Sequence, residues 1–425
     1  MSDVDIDRGF IDRLISAADK ASAAGMPGEA AKLLAQARSA APNSPQVSNA
    51  QGLHALKTGD AAAARDLFHA AVSADPNSPL YWFHLALACR GQGDAAAESV
   101  AVEKSLALDP RFYLALLHKA TFFERQRKPK QAAKFYAAFL DCIPPSAQQL
   151  PALQQALQRA RDAIAANNGA LEAFIRSRLP TAPARDPGLL PRFDHCLDIF
   201  LGRRKVYTPQ PTLMHFPHLP AIEFYERRDF PWLDEFEANT EAIRGELIQA
   251  LSEDAGGIVP YVDYPSGAPL DQWKNLNRSR RWGAYYLIKD GMSVEAHLAR
   301  CPKTAALLAA APLADIPGQA PTAFFSLLDP KTHIPAHTGV TNTRLVVHVP
   351  LIVPPGCRFR VGAETREWQA GKAWVFDDTI EHEAWNDSDE PRAILLIDVW
   401  NPFLTPTERA LVSAATVAIA EFNRE

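Results

Sequence analysis

A 34-residue periodicity of proline and glycine runs through the first third of the chain. Four prolines and three glycines recur at this interval, at Pro42, Pro76, Pro110 and Pro144 and at Gly25, Gly59 and Gly93. The next step of the glycine series falls on Arg127. Proline ends helices and glycine accepts the backbone conformations of tight turns. The pattern therefore predicts units of two antiparallel helices, each stacked on the next.

This periodicity resembles the tetratricopeptide repeat. Small residues on helical spacing fit the close helix packing of such units, at Ala30, Ala37, Ala64 and Ala71. We place four units at residues 11–44, 45–78, 79–112 and 113–146, within a helical domain spanning 1–180 that a further helical stretch closes. The resemblance implies an α-solenoid whose concave groove holds a peptide or protein. A purely structural scaffold is the alternative.

The stretch from Ser326 to Trp400 has a different pattern. Short apolar runs such as LVVHVPLIV and RAILLIDVW are separated by clusters of Pro, Gly, Asn and Asp, as in an all-β barrel or sandwich. Strand alternation from residue 344 places Arg344, Val346 and His348 on one face. Because unpaired buried charge is costly, we expect this face to line a cavity.

Two histidines in this region could reach one metal. His337 and His382 lie 45 positions apart, so they can meet only if the fold returns the chain on itself. Arg392 follows at the head of the next strand and can bind a carboxylate through two contacts. This combination suggests an Fe(II) oxygenase that chelates a 2-oxo acid. The usual set includes a carboxylate as well, but Gly339 stands where that acid is expected.

The motifs HTGVTNTRLVVHVPL, FDDTIEHEAWND and ILLIDVWNP resemble the aspartyl/asparaginyl β-hydroxylase family, over roughly residues 220–402. The family consists of 2-oxoglutarate oxygenases whose iron is held by two histidines. The resemblance implies a double-stranded β-helix, a jelly-roll fold similar to that of cupins, at residues 221–425. Together with the repeats it makes the chain a multidomain α + β protein.

The resemblance also implies roles for individual residues. His337 and His382 would be the catalytic iron ligands. Arg392 and Ser326 would hold the distal carboxylate of 2-oxoglutarate, and His348 its metal-side carboxylate. Arg344 would face the substrate.

Val346 departs from the family pattern, which often has a second arginine at this place. The departure bears on contacts to the 2-oxoglutarate carboxylate or to an acidic substrate. Asp377 and Asp378 are acids close to the expected metal. We expect them to cap a turn or orient a ligand imidazole instead of binding the metal.

Between the two patterned regions, residues 181–220 are predicted to be a proline-rich linker and an irregular preface. A helix is predicted from Phe230 to Leu251, since Pro231 stands at its start and apolar residues recur at helical spacing. Basic and aromatic residues precede the strand WGAYYLI. Among them Arg280 and Arg281 are candidates for lining the substrate entrance.

Composition excludes several classes of protein. The net charge of −5 over 425 residues gives no general case for binding nucleic acid or an anionic membrane. The first ten residues lack the features of a signal peptide, and no apolar run is long enough to span a bilayer. The five cysteines are scattered, as in proteins of a reducing compartment. We expect a cytoplasmic protein.

The expected function is hydroxylation by Fe(II) and 2-oxoglutarate, on Asp- or Asn-type residues of a peptide or protein. The repeats next to the oxygenase region favour such a substrate. One alternative is a non-catalytic repeat adaptor with a degenerate oxygenase domain. Another is a hydroxylase of a small molecule or lipid.

Overall fold

The computed structural model describes residues 3–179 and 189–423, with side chains from 9 to 179 and from 192 to 423. The chain divides into two compact units, Met1–Pro187 and Gly188–Glu425. If the repeats deliver a peptide, we expect the segment 180–191 to be ordered against both units. Residues 180–188 of this segment lie outside the described part. Within the described residues, no helix combines the length and apolarity needed to cross a bilayer.

In the described part of the first unit the regular elements are all helices. Its helices are α1 Asp3–Ala23, α2 Pro27–Ala40, α3 Pro45–Lys57, α4 Ala61–Ala74, α5 Pro79–Gly91, α6 Ala95–Leu108, α7 Tyr113–Arg125, α8 Pro129–Cys142, α9 Pro145–Gln148 and α10 Pro151–Arg176. The first eight form four successive hairpins, which confirms the predicted solenoid. Proline occupies the first turn of α2, α3, α5 and α8, where its missing N–H costs nothing.

Every hairpin turn contains a residue with positive φ. Gly25, Gly59 and Gly93 have φ of 75°, 88° and 73°, and Arg127 adopts φ 56° at the fourth turn. The alanines predicted at helix contacts are buried, at Ala30, Ala37, Ala64 and Ala71. Helix α10 closes the stack, since Leu157 and Ala160 join the apolar cluster of α8.

The second unit contains six helices in its described part. They are α11 Leu189–Phe200, α12 Leu233–Ala238, α13 Thr240–Glu253, α14 Glu295–Arg300, α15 Pro302–Ala310 and α16 Pro406–Phe422. Helix α11 corrects the prediction of an irregular preface from residue 192. Its proline lies in the first turn, where a helix tolerates it, and Leu197 with Leu201 buries one face. The helix predicted from Phe230 is also divided, because a break at Asn239 separates α12 from α13.

The strands of the second unit form two antiparallel sheets. They are β1 Val259–Pro260, β2 Trp282–Lys289, β3 Met292–Ser293, β4 Ala323–Leu328, β5 Thr332–His337, β6 Arg344–Ile352, β7 Cys357–Val361, β8 Glu364–Glu367, β9 Trp374–Phe376, β10 His382–Asn386 and β11 Arg392–Trp400. The major sheet has the order β1-β2-β4-β11-β6-β9, with β3 paired to β2. The minor sheet has the order β5-β10-β7-β8.

From β4 to β11 the chain passes back and forth between the two sheets, which is the double-stranded β-helix that the sequence predicts. One face of the major sheet packs on helices α12, α13 and α15, through side chains such as Leu345, Val347 and Leu395. The other face shares a second apolar cluster with the minor sheet, which includes Val346, Phe359 and Ile394. The candidate site opens within this second interface.

Candidate functional site

A cavity of about 740 Å³ lies between the two sheets. All six residues singled out from the sequence line it: Ser326, His337, Arg344, His348, His382 and Arg392. On β11 the lining residues alternate from Arg392 through Ile394 and Leu396 to Asp398. Six residues of strand span roughly 20 Å. The cavity therefore has an end near Arg392 and an opposite end near Asp398.

His337 and His382 are directly paired across β5 and β10, and their ring centroids are 4.1 Å apart. His337 Nδ1 lies 2.8 Å from the carbonyl oxygen of Pro335, and His382 Nδ1 lies 3.0 Å from that of Ile380. A carbonyl oxygen only accepts, so each Nδ1 carries the proton. Each Nε2 thus keeps its lone pair, as a metal ligand requires. Burial lowers the pKa of both rings, which favours the neutral form.

Gly339 stands where a metal-binding acid is expected from the sequence, and the space beside it is filled by the side chain of Asp378. A Cβ on Gly339 would lie 1.9 Å from Asp378 Oδ2. Burial raises the pKa of Asp378 to about 8, and its Oδ1 is buried without a hydrogen-bond partner. Asp377 instead accepts from the backbone N–H and the hydroxyl of Thr379, at 2.9 and 2.6 Å, as a turn cap does.

Arg392 is a fully buried cation whose guanidinium lacks a carboxylate partner among the described residues. Its Nη1 lies 3.4 Å from both the carbonyl oxygen and the hydroxyl of Ser326, while its Nε has no partner. The guanidinium carbon lies 5.0 Å from the ring centre of Trp368. Burial lowers the pKa of Arg392 to about 10. A carboxylate ligand would supply the missing counter-charge.

His348 also lines the cavity, and four aromatic rings lie within 6.4 Å of its ring centre, those of Phe359, Trp368, Trp374 and Phe376. Its Nδ1 accepts from the indole N–H of Trp368 at 3.4 Å, so the proton of the neutral ring lies on Nε2. Burial, and secondarily the charge of Arg392, lower the pKa of His348 well below its usual value. The ring can therefore donate a hydrogen bond to a bound anion without itself being charged.

Arg344 stands at the opposite end and is already paired. Its Nη1 lies 3.3 Å from Asp398 Oδ2, and the same oxygen accepts from the backbone N–H of Thr322 at 3.0 Å. Asp398 is the main cause that raises the pKa of Arg344. Val346, the next inward residue of β6, adds only an apolar surface to the cavity.

The cavity lining includes aromatic residues that the sequence does not single out, among them Trp273 and Trp282. Trp282 donates its indole N–H to Ser326 Oγ at 3.1 Å, and Trp273 lies edge-on to His337 with ring centroids 5.0 Å apart. Arg280 and Arg281 do not line the cavity, and Arg281 instead donates to the carbonyl oxygen of Lys331.

The donor set fits a divalent metal with few protein ligands. Two neutral imidazoles with free Nε2 atoms suit first-row divalent ions. No group of three or more His, Cys, Asp or Glu residues suited to a metal occurs in the described ranges. Such a site leaves coordination positions for small molecules. The unpaired guanidinium of Arg392 in the same cavity fits the far carboxylate of a chelating acid.

The family model of aspartyl/asparaginyl beta-hydroxylase matches residues 237–402, and the tetratricopeptide repeat model matches 16–79 and 49–101. The ornithine lipid ester-linked acyl 2-hydroxylase of Rhizobium tropici is 36% identical over 47% of this chain and 67% of its own length. The aspartyl/asparaginyl beta-hydroxylase of Mus musculus is also 36% identical, over 43% of this chain. A crystal structure of MamA shares 18% identity over 32% of this chain and 81% of its own, with a TM-score of 0.29.

The matches to curated relatives cover unequal shares of those proteins. The chain spans two thirds of the bacterial lipid hydroxylase but only 25% of the length of the mouse protein. The paired histidines, the buried arginine and the double-stranded β-helix lie inside the region covered by the hydroxylase family model. The chain belongs to the aspartyl/asparaginyl β-hydroxylase family.

Proposed function

We propose that the protein is an Fe(II)- and 2-oxoglutarate-dependent hydroxylase, with iron held by His337 and His382. One observation carries the proposal. Two imidazoles with free Nε2 atoms share a cavity with a buried guanidinium that has no carboxylate partner among the described residues. A fold without a ligand has no use for an unpaired buried cation, which is costly. An iron-chelating dicarboxylic 2-oxo acid satisfies both features together.

Different residues of the cavity bind the two carboxylates of 2-oxoglutarate. Arg392 and the Ser326 hydroxyl hold the distal carboxylate of 2-oxoglutarate, and the N–H of His348 donates to the carboxylate on the metal side. Trp282 fixes the Ser326 hydroxyl by donating to it. Phe359, Trp368 and Phe376 keep water away from the bound acid. Iron and 2-oxoglutarate supply the oxygen-activating chemistry when bound.

The proposed substrate is an Asp- or Asn-type residue of a peptide or protein. Two observations support it: the name of the mouse relative, and the tetratricopeptide repeats that precede the oxygenase domain in this chain. Repeat solenoids offer extended surfaces suited to peptides. Substrate delivery through the groove of the repeats is part of the proposal.

A lipid is the second candidate substrate. The bacterial relative named as an acyl 2-hydroxylase is as similar as the mouse protein, and the match covers far more of it. The non-catalytic adaptor is the weaker alternative, because an inert domain has no need of a metal-ready histidine pair beside an unpaired Arg392.

The test is conversion of 2-oxoglutarate to succinate in the presence of Fe(II) and oxygen, with and without candidate peptides. We expect slow turnover without substrate and its loss in His337→Ala and His382→Ala. His333→Ala is the matched control, since His333 lies on the same strand β5 but is exposed and pairs with Glu383. No succinate above the level of the two histidine variants would refute the proposal.

A further inference from the structure

A segment at residues 210–216 lies beside both loops that adjoin the paired histidines. Gln210 stands between Pro209 and Pro211 in the run PQPTLMHF. A residue that precedes proline is restricted to extended conformations, and proline itself has no backbone N–H. The sequence therefore favours an extended segment in which Gln210 supplies the backbone donor between the two prolines.

The segment bonds the loop that leads into β10. The N–H of Gln210 donates to the carbonyl oxygen of Thr379 at 2.7 Å. The carbonyl oxygen of the next residue, Ile380, accepts from Nδ1 of His382 at 3.0 Å. A shift of this loop would therefore move the oxygen that orients the His382 ring.

The segment also bonds the loop that follows β5. The N–H of Thr212 donates to the carbonyl oxygen of Gly339 at 3.0 Å, two residues after His337. The N–H of Leu213 donates to the carbonyl oxygen of Val340, also at 3.0 Å. One extended segment thus fixes the backbone near both histidines.

The side chain of Asn342 anchors the other end of the segment and is almost fully buried. Its Oδ1 accepts from the backbone N–H of Phe216 at 2.7 Å, and its Nδ2 donates to the carbonyl oxygen of Phe216 at 2.9 Å. The carbonyl oxygen of Asn342 accepts from Nδ2 of Asn401 at 3.1 Å, just after β11. The loop after β5 is therefore held from two sides.

These contacts matter because the proposed metal ligands are uncharged. Two neutral imidazoles attract a divalent ion less strongly than a set that includes a carboxylate. The affinity therefore depends on how well the separation of their Nε2 atoms is fixed in advance. Groups that fix metal ligands without touching the metal commonly contribute roughly ten- to a hundredfold in metal affinity.

We propose that segment 210–216 sets the separation of His337 and His382, and that Asn342 is a positioning residue for the metal site. The inference rests on the iron site proposed above. The segment precedes residue 237, where the match to the hydroxylase family model begins. The functional site of this chain thus includes residues outside that match.

Replacing Asn342 by Ala tests the anchor. Full-length Asn342→Ala, without co-substrate, is titrated with Mn(II) by calorimetry well below its melting temperature. We expect the Kd for Mn(II) to rise by roughly ten- to a hundredfold, because the loop after β5 loses its bonds to Phe216. The absorption spectrum of the Co(II)-loaded protein should change as well, since it reports the geometry of the ligands. A merely structural role would lower the melting temperature and leave both readings unchanged.

Gln210→Pro tests the segment without removing a buried side chain, since Gln210 is exposed and proline removes the backbone donor to Thr379. We expect the Kd for Mn(II) to rise by roughly tenfold. Gln210→Ala is the matched control, because it keeps the N–H. Its Kd should stay within about twofold of the wild type.

Unchanged Mn(II) affinity in folded Asn342→Ala or in Gln210→Pro would overturn the inference, as would an equal loss in Gln210→Ala. If Asn342→Ala does not fold, the two Gln210 variants decide. His337→Ala is titrated in parallel. Wild-type binding no tighter than that of His337→Ala would refute the metal site and with it the inference. Tighter wild-type binding with unchanged variants would refute the inference alone.

Discussion

At the scale of single residues, the site contains buried polar groups that have few or no partners among the residues that the structure describes. Arg392 is among the largest fully buried side chains, yet it finds only one hydroxyl and one carbonyl oxygen. His337 and His382 each donate a hydrogen bond from Nδ1 to a backbone carbonyl oxygen, which leaves their Nε2 atoms free. Burying such groups costs folding free energy. That cost is understandable where a ligand supplies the missing partners.

Replacing Arg392 by Ala should weaken 2-oxoglutarate binding by roughly 2–5 kcal/mol, since it removes one member of a buried ion pair with the ligand. Binding of Mn(II) without co-substrate, measured by calorimetry, should barely change. Arg358→Ala is the control, because Arg358 is exposed on β7 and pairs with Asp387. Equal loss of metal and co-substrate binding would mean that Arg392 holds the barrel together instead.

Gly339 should not tolerate even a methyl group. The added Cβ of Gly339→Ala would overlap the carboxylate of Asp378, so we expect a loss of roughly 1–3 kcal/mol in stability, measured by thermal unfolding. Gly245→Ala, in helix α13 with no atom near the added Cβ, should be stabilising. Gly339→Asp should lose stability as well and gain no iron affinity. A stable Gly339→Asp variant with tighter metal binding would contradict this account.

At the scale of elements, one buried amide links the two turns at the Arg392 end of the cavity. Asn386 ends β10, and its Nδ2 donates to the carbonyl oxygens of Leu328, Asp329 and Glu390. Its Oδ1 accepts from the backbone N–H of Ser388 at 3.1 Å. The turn that leads into Arg392 is thereby fixed to the end of the strand that carries Ser326.

We therefore expect Asn386→Ala to weaken 2-oxoglutarate binding at a temperature well below its melting point. The three carbonyl oxygens lose their donor, so stability should also fall, by roughly 1–3 kcal/mol. Asn239→Ala, which removes a single exposed bond to Glu235 at the break between α12 and α13, is the comparison. A lower melting temperature with unchanged co-substrate affinity would limit Asn386 to a structural role.

In the repeats, the fourth hairpin turn has Arg127 at the position where the other three turns have glycine. Arg127 takes a positive φ that a residue with a side chain adopts at a cost. Arg127→Gly should raise stability by roughly 0.5–1 kcal/mol, measured by denaturant unfolding. Lys134→Gly, an exposed position inside α8, should lower it by about the same amount. Destabilisation by Arg127→Gly would show that the arginine side chain makes a compensating contact.

How far the sequence predicts this molecule depends on whether the determining contacts are local. The hairpins and strands follow from periodicity, and the motif around His337 and His382 singles out the residues that meet in the cavity. Two features depend on tertiary contacts that the spacing of residues in the sequence does not encode. Asp378 fills the space beside Gly339, and Arg344 pairs with Asp398. Helix α11 is not predicted, because it directly follows the proline-rich segment and the richness in proline favours an irregular chain there.

At the scale of the whole molecule, the chain joins two compact units of different architecture. All residues that line the candidate cavity belong to the second unit. The residues that we propose to hold iron and 2-oxoglutarate therefore all lie in the second unit.

A protein that begins just before Pro187 should thus keep 2-oxoglutarate turnover in the absence of substrate. If the repeats deliver a peptide, the same protein should lose most of its activity on full-length protein substrate, measured as oxygenated product. Adding the separate repeat unit should not restore it, because the two parts are no longer linked. Undiminished activity on the substrate would reduce the repeats to a scaffold and favour a small molecule bound by the oxygenase domain alone.

The central claim is a metal held by two histidines with 2-oxoglutarate anchored on Arg392. A crystal structure of the protein with Mn(II) and 2-oxoglutarate tests it most directly. We predict a metal bonded to Nε2 of His337 and of His382, with no other protein ligand, and the distal carboxylate on Arg392 and Ser326. A carboxylate of Asp377 or Asp378, or a third histidine, bonded to the metal would contradict the account, as would a co-substrate bound away from Arg392.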